Sequence, residues 1–435
     1  MGVPEKTLRE LAEGGGDAEA LRLLSSAQRG RRLLLLRGVR DLTLSTGHPD
    51  AAAVQEAYEL LVAAQETDRE AAASVLDYPT VASWATGTAL ALSGRTATTP
   101  AALAPGRLAG VAAAAAIRSG LEATIAVPTV DGTLVLPSIG RTASGLRADG
   151  MAVVRSAADG AEVELGGRRA EPSATDGPGW EAVRVLHAEH EGLRWDVRLD
   201  DLDPDRLPGG VLAGERLTSA EFDQWQSTLD EAWALLVTRH REAAEATRRL
   251  ITVLTPLSSE GGGGRSATSK EAIGNVGMSA PHDAHGFAVT LAHEVQHVKL
   301  VALLDLVPMT QPDDGRRYYA PWRPDPRPLS GLLQGAYAHL GIAGFWREER
   351  RVLDGAISVR AHTEFARWRT ATARTLQTMS ESKRLTECGE LFVAEMARRL
   401  RAWCDEPVPE QALTRAKAAA ERHRAQSREA AGLTP

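Results

Sequence analysis

The length and composition of the chain limit the classes to which it can belong. It has 435 residues, of which 43% are hydrophobic and 25% charged, and its formal net charge is −7. This hydrophobic content excludes a disordered chain, and the length predicts two or three associated domains. Acidic and basic residues are interspersed, so the charge gives no reason to expect nucleic acid or a membrane surface as partner. Two cysteines, Cys388 and Cys404, exclude a disulfide framework.

The sequence also bears on location. The first thirty residues are charged throughout and predict no export signal. The alanine-rich run at 111–117 is too short and too weakly apolar to span a membrane. We therefore expect a cytoplasmic protein.

Residues 1–121 are predicted to form a helical N-terminal region. Apolar residues recur there at spacings of three and four, and Gly, Pro and Asp punctuate the gaps. Helices are expected over Glu19–Leu36, Asp50–Val75, Val81–Leu92 and Ala101–Ser119. Thr99 is the expected N-cap of the last of these helices.

Residues 122–215 are predicted to form an antiparallel β region. Short segments there alternate or are rich in β-branched residues, and Val130-Asp131-Gly132 is a hairpin turn signal. The region carries few chemically active side chains, so we expect it to support a site rather than to form one.

Residues 216–435 are predicted to be a mainly helical metal-binding domain. Thr218 and Glu221 form a capping box that starts a helix running to about Leu250. A strand at 251–256, a mobile glycine loop at 261–264 and a strand or hairpin at 265–279 are expected next, followed by helices to the end. The glycine loop lacks the Lys-Ser/Thr of a phosphate loop. The whole is predicted to be an α+β protein, with the helical and β regions packed on the metal domain.

The central motif of this domain lies on an apolar helix. His293, Glu294 and His297 form an H-E-x-x-H pattern, and residues four apart lie on the same face of a helix. Both imidazoles can then reach one metal ion. A buried helix with two histidines must also give each of them a partner, which favours a metal site over coincidence.

A third metal ligand is expected from the next long helix, Leu329–Arg350. His339 shares an apolar side of that helix with Leu332 and Ala336, so it is predicted to face inward. The alternative for His339 is a buried histidine bonded to a carbonyl group. Glu348 and Glu349 are competing ligands, but they are predicted to lie in an exposed end rich in Glu and Arg.

Two reactions fit such a site. In one, Zn²⁺ holds a water molecule and Glu294 takes its proton for attack on a peptide carbonyl. In the other, Fe(II) keeps positions open for a 2-oxo acid and dioxygen. Arg323 and Arg327, on a stiff proline-rich loop, could anchor the far carboxylate of a 2-oxo dicarboxylate and favour the second reaction. Their alternative role is pairing with Asp325 or packing on Trp322.

At these residues the sequence resembles the H-E-x-x-H peptide-modification proteins, whose members include peptide β-hydroxylases that depend on iron and 2-oxoglutarate, some of them fused to radical SAM enzymes. The matching segments run from about residue 78 to residue 346. They are Tyr78-Pro79-x-Val81-x-x-Trp84, Ser266-Ala267-Thr268-Ser269, Thr290-Leu291-x-His293-Glu294-x-x-His297 and Tyr319-Ala320-Pro321-Trp322-Arg323-x-Asp325-x-Arg327-Pro328-x-x-Gly331-Leu332-x-x-Gly335-x-Tyr337-Ala338-His339.

The resemblance implies β-hydroxylation of a residue in a ribosomally made precursor peptide, with Fe(II), 2-oxoglutarate and O2. It implies that His293, His297 and His339 bind the iron, and that Glu294 supports the site rather than acting as a general base. The expected partners are the precursor peptide and a radical SAM maturation enzyme. Two other classes stay open: a zinc-dependent peptidase, and a non-catalytic peptide-binding maturation protein with a structural metal.

Overall fold

The computed structural model of the chain describes residues 2–95, 104–258 and 265–430. Helices dominate both ends of the chain, and strands dominate its middle. The α-helices within the described residues are α1 Glu5–Ala12, α2 Ala18–Ser45, α3 Ala51–Thr67, α4 Arg69–Leu76, α5 Pro79–Leu92, α6 Leu108–Ser119, α7 Ser219–Arg239, α8 Arg241–Leu250, α9 Ala284–Leu304, α10 Leu329–Val352, α11 Gly355–Glu381, α12 Glu387–Cys404 and α13 Glu410–Ala430.

The strands of the described residues form three sheets. They are β1 Ala123–Pro128, β2 Val135–Leu136, β3 Gly140–Thr142, β4 Met151–Ala157, β5 Gly160–Leu165, β6 Arg168–Ala170, β7 Trp180–Ala182, β8 Arg184–His190, β9 Leu193–Leu199, β10 Val253–Pro256, β11 Ser266–Thr268 and β12 Asn275–Met278. Two sheets are antiparallel, in the orders β1-β4-β5-β6 and β2-β3-β7. The predicted α+β class is therefore confirmed.

The third sheet, in the order β11-β12-β10-β9-β8, is mixed. Strand β10 is parallel to both β9 and β12, whereas the two outer pairs are antiparallel. The predicted antiparallel pairing is confirmed between β8 and β9, but β9 also pairs in parallel with β10, so this hairpin belongs to a sheet shared with the C-terminal half and not to a separate antiparallel region. The predicted strand at 251–256 and the predicted hairpin at 265–279 are confirmed as β10 and as the β11-β12 pair.

Two hydrophobic cores divide the chain differently from the three predicted regions. One core joins the C-terminal part of α2 and helices α3–α6 to strands β1–β7. The other joins α1 and the start of α2 to β8, β9 and all the later helices that carry the predicted site. Leu11, in α1, is 1% exposed within this second core. The first and last parts of the chain therefore fold together around the histidines.

Local sequence signals explain where several helices begin and end. Asp17 accepts hydrogen bonds from the backbone of residues 19 and 20 at the start of α2, and Thr218 forms the expected capping box with Glu221. The predicted helix to Leu250 is interrupted at His240, whose φ of −134° is not helical. The predicted helix at 50–75 is likewise divided, by Asp68, which caps α4.

Two of the predictions concern residues outside the described ranges. They are the N-cap at Thr99 and the glycine loop at 261–264. Among the described residues, one helix has the length and composition of a membrane span, α9, with a mean hydropathy of 1.2 over its most apolar window. Because 67% of that window is buried inside the protein, α9 packs as a core helix of this fold.

Candidate metal centre

Helix α9 brings two of the predicted ligands together. His293 and His297 stand one turn apart on the same face, with their Nε2 atoms 3.1 Å apart. Two nitrogens bound to one metal ion at 2.0–2.2 Å lie about 3 Å apart, so this spacing suits a shared ion. Both side chains are partly exposed, whereas the residues between them are buried. The imidazoles therefore lie at the surface of the core, where a ligand can reach them.

Hydrogen bonds and burial define the protonation of this pair. The Nδ1 atom of His297 lies 3.3 Å from Oε1 of Gln334, an acceptor, so this nitrogen carries the proton and Nε2 keeps its lone pair. Nδ1 of His293 is buried without a hydrogen-bond partner. Burial, and then the charges of His297 and His339, hold the pKa of His293 well below its ordinary value. His293 is therefore neutral, which is the form of imidazole that binds metals, and the contact with Gln334 leaves Nε2 as the free nitrogen of His297.

Helix α10 places His339 beside the pair. Its ring centroid lies 5.3 Å from that of His293, and the two rings are nearly perpendicular. Nδ1 donates to the carbonyl oxygen of Gly335 over 2.8 Å, so Nε2 is the nitrogen with a free lone pair. Burial lowers the pKa of His339 to about 3. The side chain therefore faces inward, as predicted, and it is neutral.

Two tryptophans enclose His339. Trp322 stacks on its ring at 4.7 Å with an interplanar angle of 18°, and Trp368 lies 4.3 Å away on α11. The indole of Trp322 also covers Gly335, where an added methyl group would overlap it. Gly335 therefore both fixes the His339 ring through its carbonyl and makes room for the indole.

The side chains at this site provide part of the ligand set that a metal ion needs. The described residues contain no group of three His, Cys, Asp or Glu side chains in an arrangement that could hold a metal ion. Two imidazoles converge, and His339 is their neighbour without completing such a group. The assignment of His339 as the third ligand stays a prediction. The hydrogen bond from its Nδ1 to the Gly335 carbonyl group is compatible with a metal ligand and also with a buried histidine that binds no metal.

Glu294 points toward the edge of the mixed sheet. Its side chain is 2% exposed, and β11 supplies hydrogen bonds from Ser266 and Thr268. Oε1 lies 3.9 Å from Nε2 of His293, whereas Oε2 is buried without a hydrogen-bond partner. Burial raises the pKa of this carboxyl group, and the charge of His297 and the two hydroxyl groups oppose the rise. The carboxyl group thus lies next to the histidine pair and ties α9 to β11.

The two arginines predicted to anchor a cosubstrate pair with Asp325. Nε of Arg323 and a terminal nitrogen of Arg327 donate to its two oxygens over 2.9 and 3.1 Å. Their side chains are 53% and 37% exposed, and their ion pairs among the described residues are with Asp325. The alternative reading of the sequence, an ion pair within the loop, therefore describes their arrangement.

Glu349 is not exposed, contrary to prediction. Its carboxylate is completely buried and accepts hydrogen bonds from Arg239, His240 and His285 over 2.9–3.0 Å. It lies away from the histidine pair and joins α7, the start of α9 and α10. Glu348, the other competing ligand, is partly exposed and pairs with arginines of its own helix.

Sequence reasoning missed two residues that shape the site. Gln334 orients His297 from α10, and its spacing of five residues before His339 does not place the two on one helix face, so no local pattern indicates this contact. Trp368 contacts His339 from α11, and no local pattern connects these two positions. Their contact depends on how α10 and α11 pack.

The fold and the site together define an α+β protein with a pair of helix-borne histidines facing a third. No family model matches the chain, and no curated protein matches its sequence.

Proposed function

We propose that the chain is an oxygenase that depends on Fe(II) and 2-oxoglutarate and that β-hydroxylates a residue of a ribosomally made precursor peptide. The observation that carries the proposal is the 3.1 Å distance between the Nε2 atoms of His293 and His297, with His339 beside them. Fe(II) bound there would supply open positions for the 2-oxo acid and dioxygen. A cytoplasmic location and a radical SAM enzyme as further partner belong to the same proposal.

The protein's own groups would position the reactants and keep water out. Gln334 and the carbonyl group of Gly335 fix the tautomers of His297 and His339. The indoles of Trp322 and Trp368 cover His339 and limit water around it. Asp325 now holds both loop arginines, so the remote carboxylate of 2-oxoglutarate would replace Asp325 as their partner.

The peptide substrate is supported by the edge of the mixed sheet. Strand β11 is the outermost strand and, among the described residues, pairs only with β12. It also contacts α9 through Glu294. An extended peptide can add to such an edge through main-chain hydrogen bonds. A substrate bound there would run past the histidine pair.

A second function is favoured by the position of Glu294. Its carboxylate lies 3.9 Å from Nε2 of His293, close enough to act on a water molecule in the site. A zinc-dependent peptidase would use Glu294 in that way. It would need neither dioxygen nor a cosubstrate.

One assay separates the two functions. The apoprotein is loaded with Fe(II) without oxygen, 2-oxoglutarate and air are added, and succinate is measured with and without candidate precursor peptides. The oxygenase predicts peptide-dependent succinate and a gain of one oxygen atom in the peptide, both lost in His297→Ala. Peptide fragments formed with Zn²⁺ alone would contradict the oxygenase and support the peptidase.

A further inference from the structure

A basic groove lies between α11, α13 and the loop that carries Trp322. It has a volume of about 430 Å³. Its charged lining consists of four basic side chains and one acidic side chain, Arg367, Arg374, Lys417, Arg424 and Glu421. Ala366 and Ala416 form part of an apolar floor, and both are buried.

Most of these cations are not paired with a carboxylate of the described residues. Arg367 lies 3.9 Å from Glu364, but Arg374, Lys417 and Arg424 make no ion pair with any described carboxylate. The chain as a whole is acidic, with a formal net charge of −7. An excess of positive charge in a groove of an acidic protein attracts anions to that groove.

The groove and the histidine site share two walls. Tyr319 and Pro321 line the groove, and the next residue of that loop, Trp322, stacks on His339. Arg367 also lines the groove, and its neighbour Trp368 contacts His339 from the other side. A ligand in the groove therefore contacts residues that are adjacent in the chain to the two tryptophans that enclose the histidine.

Helix α13 fixes the loop wall of the groove. The hydroxyl group of Tyr319 lies 2.8 Å from Nδ1 of His423, and Ser427 donates to the carbonyl oxygen of Pro324 over 2.9 Å. The Arg424 guanidinium lies 5.6 Å from the Tyr319 ring centroid. The groove is thus formed before a ligand binds, which reduces the entropy cost of binding.

We propose that this groove binds an acidic stretch of a peptide. The volume suits a segment of several residues rather than a single phosphate or carboxylate ion. The basic side chains would meet its carboxylates, and the alanines would accept its apolar atoms. The link from the groove to the histidines, by which the bound stretch would hold a neighbouring residue for modification, rests on the proposed function. The binding itself does not.

Fluorescence anisotropy tests the binding without metal or cosubstrate. The probe is a fluorescein-labelled peptide of alternating glutamate and alanine, and the double variant Arg374→Glu/Lys417→Glu is compared with Arg415→Glu/Arg422→Glu. The control pair lies on α13 outside the groove, all four residues are exposed, and both variants change the net charge equally. We expect the groove variant to lose affinity by about tenfold or more and the control to lose less than about twofold. Added salt should weaken binding by the native protein.

Three results would overturn the proposal. They are the absence of binding by the native protein, an equal loss in both double variants, and displacement of the probe by 2-oxoglutarate or inorganic phosphate at the concentration at which the unlabelled peptide displaces it. The last result would identify a small-anion site. Binding by a native protein that forms no peptide-dependent succinate would refute the proposed function while leaving the groove established, and binding that persists in His297→Ala would show that the groove acts without the metal site.

Discussion

Gly335 occupies a position of α10 where the backbone lies against the Trp322 indole. We predict that Gly335→Ala displaces Trp322 and lowers the free energy of unfolding by about 1–3 kcal/mol. It should also weaken Fe(II) binding, because His339 loses its stacked neighbour. Chemical denaturation and metal titration measure both effects.

Gly331→Ala is the matched control for that substitution. It lies one turn earlier on α10, and its added methyl group would meet the flexible side chain of Arg327 at 3.3 Å. Alanine favours a helix over glycine by about 1 kcal/mol, so this variant should be as stable as the native protein or more stable. Equal destabilisation by both substitutions would refute the role of the indole.

Glu294 distinguishes the two candidate reactions. For the oxygenase, Glu294→Gln keeps the buried shape and the contacts with β11, so peptide-dependent succinate should fall by less than about tenfold. A peptidase that uses this carboxylate as its base would lose about 10²–10⁴-fold. Steady-state rates, with metal content measured on the same samples, decide between them.

For single residues, the sequence predicted the positions that the spacing along a helix determines. The convergence of His293 and His297 and the inward position of His339 follow from residues on one face of a helix. The contacts of Gln334 with His297 and of Trp368 with His339 do not follow from helical spacing, because each joins two separate helices and depends on how these pack. The pairing of Arg323 and Arg327 with Asp325 was one of two arrangements that the sequence allowed.

Glu349 joins three helices through one buried carboxylate. Burial raises its pKa, but the hydrogen bonds from His240 and His285 and the charges of His240 and Arg239 outweigh burial and bring the pKa down to about 2 from the ordinary 4.5. Because the pKa is lower in the folded state, the stabilisation is complete above about pH 4.5 and is lost as the pH falls toward 2.

We therefore predict that Glu349→Gln removes a stability change between about pH 4.5 and 2 that the native protein shows. At neutral pH this variant should lose about 3 kcal/mol of unfolding free energy, because three donors lose a charged partner. Urea denaturation across this pH range measures both effects. Glu348→Gln, next along the helix and partly exposed, should keep the native pH profile. An unchanged profile in Glu349→Gln would contradict the assignment.

The hydrogen bonds around Glu349 also explain the break between α7 and α8 at His240, which the sequence did not predict. Apolar periodicity and the capping box continue from Thr218 to Leu250, so nothing local marks the break at His240. The ring of His240 stacks on Phe345 at 4.2 Å and donates to Glu349, contacts with a helix about a hundred residues away. Helix ends that local caps determine were predictable, whereas this break depends on tertiary contacts.

The N-terminal helix α1 belongs to the core that carries the histidines. The carbonyl oxygen of Leu11 accepts a hydrogen bond from Tyr337, and those of Gly14 and Gly15 accept hydrogen bonds from the buried Lys299. The predicted boundary at residue 121 could not include these contacts, because hydrophobic patterns identify faces but not the elements that they meet.

We predict that Leu11→Ala lowers the free energy of unfolding by about 2–5 kcal/mol and weakens Fe(II) binding at α9. Leu34→Ala, a matched substitution at a residue that is 70% exposed, should change stability by less than about 0.5 kcal/mol. Calorimetry and metal titration test both variants. Full Fe(II) affinity in a destabilised Leu11→Ala protein would show that α1 folds apart from the site.

The claim on which the proposed function depends is that His293 and His297 bind one metal ion together. Anaerobic titration of the apoprotein with Fe(II), followed by metal analysis after desalting, measures it most directly. We expect one Fe(II) per native chain and none retained by His293→Ala/His297→Ala, while His187→Ala, an exposed histidine on β8, retains the full amount. Retention of one Fe(II) by the double variant, or of none by the native chain, would contradict this account.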